Sequence, residues 1–222
     1  MVCAPRRPGR PTMAAFFVRP GLDLPYFPAH RRRAAPSDTT RALAALGGEF
    51  VVADLETTGL SAASCEILEF AAVAVDIEGR ITREYSQVVR ISGRVPSFIS
   101  RLTGISQQEV LQHGRPIEQA FGAFREFVGA APVFFHNAAF DTRFLLATSQ
   151  RCGLPFDNET YCTLMLARRA WPELPSHKLG ILAGHLGAST PTHRALADVR
   201  TTVAVALAAR ARLTAGSAHV GS

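Results

Sequence analysis

The order of apolar and polar positions divides the chain into strands first, then helices interleaved with one more strand. Residues 49–56 (EFVVADLE) carry the apolar run Phe50-Val51-Val52-Ala53, the pattern of a strand covered on both faces. Residues 67–77 (ILEFAAVAVDI) repeat it, and Glu78-Gly79 turns the chain into a third strand over 80–91. These three predict an antiparallel meander. Residues 96–112 read as short helices joined at Gly104. Pro116 opens a helix that sets Ile117, Ala120, Phe121, Phe124 and Val128 on one face. Val133-Phe134-Phe135 is a short buried strand. Asn137 caps the helix that follows, which runs to about Cys152 and stops at Gly153. Two further helical stretches surround Leu164 and Leu182, and a last helix starts near Thr192 and passes Val205. The pattern predicts an α/β fold: one mixed sheet, a three-strand antiparallel meander plus parallel strands, with helices packed on it.

Upstream, residues 41–46 suit a short helix, and Gly47-Gly48 opens the domain. Residues 1–40 mix Pro, Arg and Ala without a sustained period and read as loosely packed. The expected division is an N-terminal arm over 1–46, a domain over 47–212 and a short tail over 213–222. Charge sharpens it. The arm holds eight arginines against Asp23 and Asp38, so it carries the whole formal net charge of +6. Such an arm attracts nucleic acid without specificity, or it is a leader, with Met13 as the start. No apolar run approaches the roughly 20 residues that span a bilayer. The first residues hold no signal-length apolar stretch either. A cytoplasmic protein with no membrane partner is expected. Cys3, Cys65, Cys152 and Cys162 are scattered without a C-x-x-C pair, which argues against a zinc site or a disulfide scaffold.

Three clusters carry chemistry. Asp54 and Glu56 lie two apart on the first strand, so they share one face while Leu55 points the other way. Two anions held that close repel unless cations lie between them, and oxygen-rich sites of this kind suit Mg2+ or Mn2+. Taken alone, an Asp-x-Glu pair is more often a solvated strand end. The next residues, Thr57-Thr58-Gly59-Leu60, leave the strand through a glycine turn and offer amides and hydroxyls to a substrate. Asp141 lies about one turn into a helix, where the dipole favours a carboxylate in any case. Its neighbours Phe140 and Phe144 are core-like, however, and place it where burial is expected. The third cluster is His193-Arg194-Ala195-Leu196-Ala197-Asp198. There a histidine at a helix start, either a base near neutral pH or simply a cap, faces the same side as a carboxylate.

In this order, Asp-x-Glu-Thr-Thr-Gly-Leu, His-Asn-Ala-x-Phe-Asp-x-x-Phe-Leu and His-Arg-Ala-Leu-x-Asp resemble the DEDDh family of 3′–5′ exonucleases, above all its epsilon-type proofreading members. The resemblance covers residues 49–210 and extends to Leu102-Thr103-Gly104-Ile105, residues 162–168 (CTLMLAR) and His177-Lys178-Leu179. It implies a ribonuclease H-like fold and a two-metal mechanism. Asp54, Glu56 and Asp198 would bind two divalent ions, Mg2+ or Mn2+, with Asp54 bridging both. Asp141 would complete the set, partly through water. His193 would deprotonate the attacking water, and the product would be a nucleoside 5′-monophosphate. Thr57, Thr58 and Leu60 would hold the terminal nucleotide. Asn137 and Phe140 join that substrate-binding set, with Phe140 either stacked on a base or, more commonly for such a residue, packed beneath the site.

The implied substrate is a single-stranded or frayed 3′ end of DNA, in proofreading or repair. Oligoribonuclease-like relatives usually carry methionine at the place of Thr57, which favours DNA over the rival reading of an RNA 3′–5′ exonuclease. A non-catalytic interaction module on the same fold is a rival of another class. The intact set Asp54, Glu56, Asp141, His193 and Asp198 speaks against it. A DNA polymerase subunit is a candidate partner, although the residues after the last helix are few and contain no clamp-binding peptide.

Overall fold

The structure, a computed structural model, describes residues 39–218. The looseness expected of residues 1–38 and the end of the tail lie outside the described residues. The meander forms as the pattern predicts: β1 (Phe50–Thr57), β2 (Ile67–Val75) and β3 (Ile81–Val88) pair antiparallel in sequence order. A short strand, β4 (Val133–Phe135), joins β1 in parallel, and β5 (Thr160–Cys162) joins β4 in parallel. The order across the sheet is β3-β2-β1-β4-β5. Eight helices are described: α1 (Thr39–Ala45), α2 (Ser97–Thr103), α3 (Gln107–His113), α4 (Ile117–Val128), α5 (Ala138–Cys152), α6 (Thr163–Ala170), α7 (Leu179–Leu186) and α8 (Ala195–Ala218).

Alternation along β1 sends its side chains into two separate cores. Phe50 and Val52 pack with Ala71, Val73 and Phe134 beneath α8, joined by Leu166 of α6 and Leu182 of α7. Val51, Ala53 and Leu55 pack on the opposite face with Phe121 and Phe124 of α4 and Phe144 and Leu145 of α5. Each of the buried Val, Leu and Phe side chains among these contributes about 1.5–3 kcal/mol relative to exposure. A smaller cluster of Leu68, Ile105 and Val110 seats α3 against the meander. The helix α4 buries Ala120, Phe121, Phe124 and Val128, the face that its 3.6-residue period predicts.

Some boundaries differ from the sequence reading. Ala42 and Leu46, assigned above to the arm, are buried in the α8-side core, so residues 39–46 pack as part of the domain. The strand β5 was not read from sequence. Asn137 occupies the cap position of α5, but its side chain makes no cap bond and its backbone is left-handed (φ 74, ψ 49). The turn itself enters the helix. The last helix begins at Ala195 rather than near Thr192, because His193 is also left-handed (φ 55) and breaks the helical path. At its other end α8 continues to Ala218, into the expected tail.

Candidate active site

The face of β1 that packs Phe50 and Val52 under α8 continues, two residues at a time, to Asp54 and Glu56. The apolar row thus ends in carboxylates just where α8 begins, and Asp198 lies in the first turn of that helix. Carboxylate oxygens of Asp54, Glu56 and Asp198 all lie within 4.8 Å of one another. The register of β1 against β2 slips between Glu56 and Thr57, with Leu68 the extra residue on β2, so the regular pairing is interrupted at the site. Asp141 arrives from the first turn of α5, on the other face of the sheet. It is 2% exposed, and its Oδ1 is a buried side-chain atom with no hydrogen-bond partner.

Burial and mutual repulsion both disfavour the charged forms of these carboxyls. Burial, reinforced by Asp198 and Glu69, pushes the Asp54 carboxyl up to about 8. Burial and then Asp54 push Glu56 up to about 9. Burial and the Asp54 charge raise Asp141 well above the ordinary carboxylate range. Asp198 is raised by burial, against the pull of the Thr192 amide and of His193. The Thr192 amide donates to Asp198 Oδ1 at 2.9 Å. Carboxylates that repel one another, with one oxygen buried and unpaired, suit a hard cation bound through oxygen. The donor set therefore fits a divalent metal ion.

His193 and Asp198 open onto a cavity of about 1030 Å3, whose walls include Asn137, His136, Arg168, Lys178, Leu179, Ile181 and Pro191. Its polar frame is braced through His136. That ring bonds Thr163 Oγ1 at 3.0 Å through Nδ1 and the His177 carbonyl at 3.0 Å through Nε2, tying β4 to α6 and to the loop before α7. Burial lowers the His136 pKa, consistent with a structural brace. A smaller cavity of about 340 Å3 lies at the opposite end of β1, beside Glu49, Asp76 and Arg83.

The remaining sequence candidates lie outside the walls of the larger cavity. The Thr57 hydroxyl donates to the Gly59 carbonyl at 2.7 Å, and Thr58 Oγ1 accepts from the Glu66 amide at 2.9 Å. Both hydroxyls therefore hold the turn. Gly59 lies close to Cys65 there, so a Cβ in its place would come within 2.8 Å of Cys65 Sγ and displace that side chain. Leu60, at the tip, is 81% exposed. Phe140 is half-buried, with its ring 5.1 Å from that of Phe144, and packs against the core on the α4–α5 side. Sequence reasoning missed Glu69. It lies on the acid-bearing face of β2, opposite Glu56, and is 1% exposed. A lone glutamate in an apolar strand is its only signal. Arg168 and Lys178 were quoted within motifs but given no role.

A family model described as exonuclease (RNase_T) matches residues 51–206. DNA polymerase III subunit epsilon from Aquifex aeolicus is 38% identical over 163 residues, 72% of this chain and 79% of that protein. PolC-type DNA polymerase III from Clostridium perfringens is 37% identical over 159 residues, 71% of this chain but 11% of that protein. The chain thus spans about a tenth of the length of such PolC-type relatives. Among solved structures, the zinc-bound E. coli exonuclease I complex with single-stranded DNA superposes with a TM-score of 0.66 at 23% identity. That match covers 75% of this chain and 41% of the other, and shows the shared fold.

Proposed function

This chain belongs to the exonuclease family, in its DEDDh, epsilon-like branch with a ribonuclease H-like fold, and on that premise we propose that it is a metal-dependent 3′–5′ exonuclease releasing nucleoside 5′-monophosphates from single-stranded or frayed DNA ends. The observation that carries the proposal is the convergence of Asp54, Glu56 and Asp198 within 4.8 Å, with the unpaired Asp141 oxygen. Two bound divalent ions would activate a water and stabilise the leaving 3′-oxygen. Asp54, Glu56 and Asp198 would hold them, and Asp141 would complete the acidic set. His193, on its exposed turn beside Asp198, takes the proton from the attacking water. Leu60 is free to wedge against the terminal base, while Thr57 and Thr58 shape the turn that presents it.

The cavity beside His193 suits a single strand. Arg168 and Lys178 are exposed on its wall and form no ion pair with another described residue, and Leu179 and Ile181 give bases an apolar surface. DNA is favoured by the relatives named as DNA polymerase III chains, and a polymerase subunit is a matching partner.

The test is side-by-side digestion of 5′-labelled single-stranded DNA, duplex DNA and RNA, with Mg2+ and with chelator. The expected result is a ladder shortened from the 3′ end, 5′-mononucleotide product, dependence on Mg2+ and preference for single-stranded DNA. Shortening from the 5′ end, or equal cleavage in chelator, would overturn the proposal.

A further inference from the structure

The turn that carries His193 is held on both flanks. On one side the Thr192 amide is bound by Asp198. On the other, Arg194 Nη1 donates to both oxygens of Glu109, at 3.1 and 3.3 Å, and Nη2 donates to Glu109 Oε1 at 3.1 Å. The same Nη2 lies 3.5 Å from Glu69 Oε1. Glu69 in turn accepts from Ser86 Oγ at 2.8 Å and from the Ala195 amide, the first of α8, at 3.3 Å. One arginine thereby joins α3, β2 and the start of α8.

Local rules do not account for Glu109. It sits at the third position of α3, whose Ser106 side chain accepts the Glu109 amide at 3.0 Å. In a capping box that glutamate reaches back to the cap residue. Here its carboxylate goes to Arg194, 85 residues away, in a forked pair. The neighbouring His193 is left-handed, a conformation that a residue with a Cβ keeps only when its surroundings enforce it.

We propose that Arg194, anchored by Glu109 and Glu69, is a positioning residue that fixes the His193 imidazole over the carboxylate cluster. The inference rests on the reading of His193 as the base. Arg194 itself touches none of the reacting groups. It also lies close enough to Glu56 to favour that carboxylate's charged form, so loss of Arg194 alone mixes two effects. Glu109→Gln separates them. It takes away the anchor's charge and one of its two acceptor oxygens, keeps the guanidinium charge and alters no carboxylate of the cluster.

The experiment is a double-mutant cycle on the full chain with single-stranded DNA and Mg2+: wild type, Glu109→Gln, Arg194→Lys, His193→Ala and each anchor variant combined with His193→Ala. Glu109→Gln and Arg194→Lys are expected to lower kcat by roughly 10- to 100-fold, the scale of a misplaced catalytic group, with KM little changed. Neither should cost anything further once His193 is gone. Two readouts do not depend on turnover. Mn2+ affinity should be unchanged in Glu109→Gln. The His193 ring resonance, identified by its loss in His193→Ala, should broaden or shift. An equal loss in both histidine backgrounds, wild-type kcat in Glu109→Gln, or an unmoved resonance would overturn the inference while leaving the exonuclease reading intact. A wild type inactive with Mg2+, or a fully active His193→Ala, would overturn the reading of the site itself and the inference with it.

Discussion

Asp54 and Glu56 are pushed up to about 8 and about 9 by burial and by neighbouring carboxylates, which ties the charge of the site to pH. In the folded protein these groups keep protons that the unfolded chain releases near the ordinary values of 3.8 and 4.5. Their contribution to stability is therefore full below about pH 4 and is lost as pH rises toward 9. The metal-free protein is expected to melt at progressively lower temperature across that window, and Asp54→Asn should flatten the decline. Thermal scans in chelator from pH 5 to 9 check this, and a rising Tm would refute it. Metal binding must displace the same protons. Calorimetry at pH 7 in buffers of different protonation enthalpy should then show proton release on adding Mg2+, and affinity should climb with pH. His193→Ala should lower the rate by roughly 10²–10⁴-fold, the range for a lost general base, and leave Mg2+ affinity in place. Loss of that affinity would make His193 a ligand instead. The Asp54–Glu56 pair was legible in sequence because a strand repeats every two residues. Glu69 was not, because pattern alone does not say which helix terminus will lie over a strand.

At the scale of elements, the site is made by ends: the end of β1 where its register with β2 slips, the left-handed turn at Asn137 before α5 and the left-handed turn at His193 before α8. Long periodic elements such as α4 and the meander were readable because many residues vote for the same period. The three residues of β5, Thr160–Cys162, lack the wholly apolar run that marks the equally short β4, and its pairing depends on β4 already being in place. The two left-handed turns escaped because Asn and His are also ordinary cap residues, so their identity does not reveal the sign of φ. The α6 and α7 walls make a further claim testable. Arg168 and Lys178 are exposed on the cavity beside His193. If a strand's phosphates lie there, Arg168→Ala and Lys178→Ala should each raise KM by about 2- to 5-fold, the worth of an exposed ion pair, with kcat unchanged. Steady-state kinetics on a short single-stranded oligonucleotide decide it. A fall in kcat at constant KM would move the strand's path elsewhere.

For the whole molecule, formal charge is distributed unevenly along the chain. Residues 1–38 hold seven arginines against two aspartates, while no carboxylate or histidine of the site lies among them. The cut that separates this charge from the domain must spare α1. Ala42 and Leu46 are buried under α8, and Arg41 pairs with Glu159 beside β5. A chain beginning at Gly47 would open a hole in that core, and Leu46 alone would cost about 2–5 kcal/mol if truncated to alanine. A chain beginning at Thr39 keeps the core, and is expected to cleave short oligonucleotides at close to the full-length rate. Its affinity for longer DNA should fall, and the salt dependence of binding should become shallower. Each phosphate neutralised by an arginine contributes about −0.9 to the log–log salt slope on duplex DNA and about −0.7 on single strands. Losing three such contacts would change the single-strand slope by about 2, well within reach of a fluorescence titration at several salt concentrations. Equal slopes for the two chains would mean that the arginines do not neutralise phosphates, and DNA affinity would then rest on the cavity and the metal site.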